Sequence, residues 1–390
     1  MGLASLSTYR ITPNRGFLCD YDAPSLELRG ALGEARATAL RLPEILPSGT
    51  VRDVLDELPV VTPETIAALD ETEARMAMVH YSFLLQSYVW GAEPPASVLP
   101  KPLAVPIVAL ADRLGQQPLL QYSGYVLDNW GLLDRESPIS LDNIYMIQKF
   151  AGGTDEAWFV LVHVAIEAKA GEALAMFGRL IEAAEQRDAA AARDLLERMV
   201  GIWAQINGIF GRMPEQCDPY VYFRRVRPYI HGWKDNPALK DGVIYEGVER
   251  FNGAPQVFRG QTGSQSSIVP SMDALLGVGH GADPLRAYLD ELHIYRPPAH
   301  RRFIDDIRAQ SVLRAFVRGA SDRGLTQAYN AAVQAVADFR SLHLEYAASY
   351  INKQGGKTAG NDTEVGTGGT PFMKYLKKHR DETRANLIDA

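Results

Sequence analysis

Leu325-Thr-Gln-Ala-Tyr-Asn-Ala-Ala-Val-Gln-Ala-Val-Ala-Asp-Phe-Arg-Ser-Leu-His-Leu-Glu-Tyr-Ala-Ala-Ser-Tyr-Ile351 contains neither proline nor glycine, and its apolar residues recur at helical spacing. Tyr329, Val336, His343 and Tyr350 fall at seven-residue steps. The pattern predicts a long helix whose apolar face turns an imidazole toward the interior. Arg340 lies three residues before His343 and shares its face.

A buried imidazole needs a partner, because an unpaired polar group taken out of water costs several kcal/mol. A carboxylate, a backbone carbonyl or a metal would serve, and an ordinary hydrogen bond is the commonest solution. Arg340 places a cation beside whatever the ring holds. A haem would meet both residues at once, offering iron to the ring nitrogen and propionates to the guanidinium.

Outward from this helix, the chain of 390 residues has material for a large core and two parts. Residues 1–62 are rich in turn signals, and Thr62-Pro63-Glu64 reads as an N-cap, a proline at the first helical position and an acidic first turn. This predicts a long helix running to Trp90. Further helical patterns cover roughly 103–114, 139–150, 155–184, 188–212, 219–230, 270–278, 283–294, 299–318 and 370–387. Strand-like alternation is almost absent. The expectation is an all-α fold, with a small N-terminal helical domain over 1–100 and a large helical bundle over 101–390. Two Gly-rich connections, 249–267 and 353–370, resist the helical reading; connections of that length in a compact domain tend to be binding loops, lids or linkers.

Composition narrows the function. Lys+Arg number 40 against Asp+Glu 47, a net charge of −7 without a basic block, so nothing here attracts nucleic acid. No apolar run approaches the length of a membrane span, and Met1–Arg10 lacks the regions of a secretion signal. Cys19 and Cys217 show no zinc spacing and read as structural thiols in a reducing cytoplasm. The partner should be small. Metalloprotease, serine-hydrolase and phosphate-loop motifs are missing, since Gly366-Thr-Gly-Gly-Thr370 lacks the lysine of a phosphate loop.

A second histidine, His163, stands in the apolar stretch Trp158-Phe-Val-Leu-Val-His-Val-Ala-Ile-Glu167, four residues after Phe159 and on its face. It is either a core histidine bonded to a neighbouring carbonyl or part of a pocket wall. His80, His231, His280, His293, His300 and His379 occupy more polar contexts and are expected at the surface. Arg224, Arg225 and Arg227 sit among aromatics in Tyr220–Trp233. Arg227 is either a salt-bridge partner or a clamp for a substrate carboxylate, with Tyr222 and Phe223 as an aromatic wall.

Four blocks, in order, resemble the indoleamine 2,3-dioxygenase family, haem enzymes that open the pyrrole ring of tryptophan. They are Arg227-Pro-Tyr-Ile-His-Gly-Trp-Lys-Asp-Asn-Pro237 with Asp241–Gly247; Gly263-Ser-Gln-Ser-Ser267 with Asp273–Gly277; Tyr295-Arg-Pro-Pro-Ala-His-Arg301; and Arg340-Ser-Leu-His343 with Gly366–Thr370. The resemblance implies haem b, with His343 as proximal iron ligand and Arg340 as a propionate partner steadied by Asp273. It implies Arg227 as the substrate-carboxylate arginine, Phe159, Tyr222 and Phe223 as pocket aromatics, and Tyr122 in the distal helix. Thr262, Gly263 and Ser264 match a loop over the haem edge, and Thr367 and Gly368 a lid that closes on substrate.

One position departs from the mammalian members, which typically have a small hydroxyl residue where this chain has His163; tryptophan 2,3-dioxygenases place a histidine on that distal side. The resemblance thus implies a monomeric dioxygenase that converts L-tryptophan, or a close indoleamine, and O2 to N-formylkynurenine, with His163 narrowing substrate choice. A haem oxygen carrier and a biosynthetic enzyme for a modified tryptophan are the competing readings.

Overall fold

The computed structural model describes residues 2–354 and 362–389; residues 355–361 of the second Gly-rich connection lie outside the described residues. Among the described residues, the longer helices are α1 (Ala31–Leu40), α2 (Glu71–Trp90), α3 (Lys101–Leu114), α4 (Thr154–Leu174), α5 (Phe177–Glu185), α6 (Ala189–Gly211), α7 (Ile268–Leu276), α8 (Pro284–His293), α9 (Pro298–Gln310), α10 (Leu313–Gly319), α11 (Arg323–Ala347) and α12 (Phe372–Arg384). Strands among the described residues are reduced to β1 (Val98–Leu99) parallel to β4 (Ile244–Tyr245), and β2 (Trp130–Leu132) antiparallel to β3 (Ile144–Met146). The fold is all-α. No helix among the described residues is long and apolar enough to cross a membrane.

Caps explain where the helices begin. Asp188 and Asp322 accept the N–H groups of Ala191 and Leu325, fixing the starts of α6 and α11. The helix foreseen from Pro63 to Trp90 is broken: a short helix ends at Ala67, and extended Asp70 restarts the chain with a reciprocal capping box to Glu73. Likewise the 299–318 pattern divides at Ser311, whose hydroxyl donates to the Leu275 carbonyl. Residues 139–150 correct the helical expectation. Asn143 donates to the carbonyls of Asp134, Ser137 and Pro138, which holds a tight turn and delivers the following residues to β3.

The core centres on α11, which packs against α6 and α12, while α6 packs against α4. Helix α2 lies against α1 and α3 and is buried on nearly every side. The N-terminal segment reaches across the chain: Tyr9 meets the Phe303 ring at 5.1 Å, and Phe17 meets His300 at 4.7 Å, both on α9. One cluster of buried apolar residues thus continues from residue 9 to residue 350.

The surface expectation fails for His80, His231 and His300, which are 1%, 3% and 2% exposed. Their neighbours in sequence are polar, but the helices and turns that carry them are enclosed by others. His80 Nδ1 pairs with Gln148 Oε1 at 2.9 Å, and burial pushes its pKa down to about 4.

Among the described residues, three π-turns interrupt the helical geometry, at Ser123–Leu127, Tyr222–Val226 and Ala348–Asn352. Such turns widen the helix and re-aim side chains, often at functional sites. Each borders the same cavity, through Tyr122, Tyr222 and Tyr350 respectively.

Buried Arg75 grips Asp128, with Nη2 to Oδ1 at 2.5 Å, and ties α2 to the 123–127 turn. Removing one partner of such a pair strands a charge. Asp128→Ala should lower the unfolding free energy by about 3–5 kcal/mol in denaturant titration; a loss below about 1 kcal/mol would mean that the pair behaves as if exposed.

Candidate active site

A cavity of about 730 Å³ opens between α4, α6, α7, α11, α12 and the 261–268 connection. That volume is in the range that encloses a sizeable ligand. On α4, within the span 158–168, only Phe159 and His163 are not fully buried, and both line the cavity. Helical spacing of four places them one above the other.

One wall is aromatic. Phe159 lies 4.6 Å from Tyr222 and 4.8 Å from His163, while Tyr122 meets His163 edge-on at 6.2 Å. The Phe210 ring of α6 lies 6.2 Å from both His163 and His343. His163 Nδ1–H donates to the Phe159 carbonyl at 2.7 Å, so the neutral ring keeps Nε2 as an acceptor. Burial holds its pKa below the ordinary value, against the pull of that bond.

His343 projects from α11 into this cavity and, among the described residues, makes no hydrogen bond through its ring. Burial, with the neighbouring His163 and Arg340, pushes its pKa down to about 4. The ring is neutral at physiological pH, the form in which imidazole ligates a metal. Arg340, one turn before it, binds Asp273 of α7 twice, at 2.6 and 3.1 Å, and also donates to the Thr383 hydroxyl. Although burial opposes it, the Arg340 charge holds the Asp273 carboxyl well below the usual carboxylate range.

The Gly-rich segment after residue 362 is docked over the opening. Thr367 donates to the Gln261 carbonyl at 2.6 Å and its own carbonyl accepts from Gly232, while Arg259 donates to the Gly368 carbonyl. A side chain at Gly368 would place its first carbon 2.5 Å from the Tyr288 hydroxyl and so would have to displace that ring. Thr262, Gly263 and Ser264 form a short turn at the cavity edge, where the Thr262 hydroxyl accepts from the Ser264 N–H.

Not every residue singled out from sequence reaches the cavity surface. Arg227 is fully buried beside Tyr222, lies over the Phe223 ring at 5.5 Å, and donates to the Val365 carbonyl at 2.5 Å. Neither Arg227 nor Phe223 lines the cavity. The structure brings together Tyr122, Phe159, His163, Tyr222, Thr262, Gly263, Ser264, Asp273, Arg340, His343, Thr367 and Gly368.

Sequence reasoning missed Glu167. It is completely buried one turn beyond His163, and its Oε1 accepts from the Tyr122 hydroxyl at 2.9 Å and the Ser266 hydroxyl at 2.8 Å. Burial pushes its pKa up to about 7, against the bonds from Ser266 and Tyr122. A lone carboxylate in an apolar helix, four residues after a candidate histidine, was the available signal.

A family model described as indoleamine 2,3-dioxygenase matches residues 5–386. The chain belongs to the indoleamine 2,3-dioxygenase family. It is 32% identical to indoleamine 2,3-dioxygenase 1 of Rattus norvegicus, over 98% of this chain and 96% of that protein. The identity is 32% to indoleamine 2,3-dioxygenase of Saccharomyces cerevisiae and 30% to indoleamine 2,3-dioxygenase 2 of Homo sapiens, covering 98% of this chain and 94% and 96% of theirs. Enzymes of the family depend on haem. The cavity fits such a group: a neutral nitrogen donor without a competing bond, a buried guanidinium beside it, and apolar and aromatic walls.

Glu167 yields a pH signature. Its folded-state pKa exceeds the ordinary 4.5, so the folded protein holds this proton over a range where the unfolded chain has released it. Stability therefore falls as pH rises through that window. Buried histidines such as His80 and His343, pushed down to about 4, act in the opposite direction, so the signature is a difference: between about pH 5 and about pH 8 the thermal midpoint of the wild type should fall relative to that of Glu167→Gln. Identical pH profiles for the two proteins would contradict this assignment.

Proposed function

We propose that His343 would hold the iron of haem b in this dioxygenase, and that the cavity beside it binds L-tryptophan for opening of the indole pyrrole ring to N-formylkynurenine. Both oxygen atoms of O2 enter the product, so the net reaction consumes no reductant. The observation that carries the reading is the neutral, unbonded imidazole of His343 facing an aromatic cavity, with Arg340 clamped on Asp273 beside it.

Bound haem supplies the redox-active iron that lets dioxygen react with a closed-shell indole. The remaining tasks belong to side chains. Arg340 offers its guanidinium to a propionate, while Asp273 fixes its orientation. Gly263 and Ser264 border the cofactor edge, and Thr262 the substrate. Tyr122, Phe159 and Tyr222, with Phe223 behind them, form a wall against which a planar indole packs.

His163 takes the role of acceptor. Because Nδ1 is committed to the Phe159 carbonyl, Nε2 presents a lone pair to the cavity, suited to the indole N–H. Arg227 is assigned to the substrate carboxylate. Its bond to the Val365 carbonyl ties it to the segment that carries Thr367 and Gly368, so motion of that segment is coupled to its availability. Orientation and exclusion of water are what this chain contributes to the rate.

The enzyme is read as a monomer, and two buried free thiols suit a reducing cytoplasm. Tryptophan breakdown through kynurenine is the corresponding metabolic role.

Two substitutions test these roles. His343→Ala should remove the imidazole-ligation signature from the haem absorption spectrum and lower formylkynurenine production at least about 100-fold; full pigment with unaltered coordination would refute the assignment. A wild-type haem spectrum without turnover of L-tryptophan would instead favour an oxygen carrier. His163→Ser should shift the kcat/KM ratio of L-tryptophan to its 1-methyl analogue about tenfold or more toward the analogue, the worth of one hydrogen bond to a polar site. An unchanged ratio would remove His163 from substrate selection.

A further inference from the structure

His280, His379 and Glu382 converge at the Arg340 end of the cavity, yet the proposed reaction uses none of them. His379 and Glu382 are three apart on α12 and therefore share a face. His280 arrives from the turn between α7 and α8, about a hundred residues earlier in the chain. One potential ligand atom from each lies within 4.8 Å of the other two.

From this juxtaposition we propose a zinc site, with His280, His379 and Glu382 as ligands and water in the fourth position. Two imidazoles and a carboxylate form a ligand set that zinc takes in tetrahedral sites. The supporting shell is in place. His280 Nδ1 faces Glu382 Oε2 at 2.8 Å, and its Nε2 bonds Asp273 Oδ2 at 3.2 Å, the carboxylate–imidazole arrangement that orients a metal-ligating histidine. Asp273 is held in turn by Arg340.

A proton on His280 would account for that residue alone, satisfying both of its nitrogens between two carboxylates. It leaves His379 unexplained. The His379 ring lies 4.7 Å from that of His280, makes no hydrogen bond among the described residues, and buries its Nε2 without a partner. A metal satisfies both rings. The charges around the cluster permit it: Asp273, Asp283 and Glu382 outnumber Arg340 and Lys378, the lysine lying against Asp283 and 3.5 Å from Glu382. Zinc here would pin α12 to the α7–α8 turn and brace the Arg340–Asp273 pair from behind, without taking part in the reaction. The site stands independently of the proposed haem chemistry.

Haem-loaded protein stripped with a chelator and titrated with zinc chloride tests the idea, with zinc and iron counted separately by mass spectrometry. The expected result is one zinc per chain in addition to haem iron, and a zinc-edge absorption spectrum with imidazole scatterers at about 2.0–2.1 Å. His379→Ala and the near-isosteric Glu382→Gln should each weaken zinc binding at least about tenfold while haem absorbance and circular dichroism stay unchanged. Zinc should also raise the thermal midpoint of the wild type and not of the variants. Absence of stoichiometric uptake, a zinc spectrum without imidazole, or wild-type affinity in both variants would overturn the proposal.

Discussion

An imidazole kept neutral and unbonded inside the protein is the constraint around which the rest is arranged. Protein interiors seldom leave such a ring without a partner, because the group loses its water and receives nothing in exchange. Here α11 carries His343 into a cavity where burial and two neighbouring basic groups suppress its proton. The ion pair of Arg340 with Asp273 fixes the floor beside it and joins α11 to α7.

Departures from ideal helix geometry build the space above that floor. Each of the three π-turns among the described residues widens the chain beside the cavity, with Tyr122 just before the first, Tyr222 opening the second and Tyr350 inside the third. The Gly-rich segment closes the opposite side through backbone carbonyls: Gly368 bonds to Arg259, Thr367 to Gly232 and Val365 to Arg227. Arg259 is itself anchored on Glu291 and Asp235. Arg227, Gly232 and Arg259 are thereby tied to one stretch of main chain.

Two buried polar clusters flank the cavity and differ in character. Around Glu167, neutral hydroxyl donors surround a carboxyl whose ionisation is disfavoured by burial. Around Asp273, full charges oppose one another across hydrogen bonds and keep the carboxylate ionised. The first belongs to a substrate-sized apolar wall, and the second to the end where an anionic group of a cofactor is expected.

Local periodicity, by itself, determined that the chain is helical, that His343 and Arg340 share a face of one long helix, and that Phe159 and His163 stand together on another. Those facts depend on spacings of three, four and seven, which backbone geometry sets without reference to the rest of the chain. Motif order was also sufficient to recognise the family. What linear spacing left undecided was every pairing between distant residues: Arg340 with Asp273, Glu167 with Ser266, His280 with Glu382, and Arg227 with a carbonyl rather than with the cavity. Tertiary structure alone decided these, and it also replaced the helix expected over 139–150 with a turn and the short strand Ile144–Met146 and enclosed His80, His231 and His300. The reason is physical. Burial and long-range contact depend on how helices pack, and no property of a residue's immediate neighbours reports which other helix will cover it.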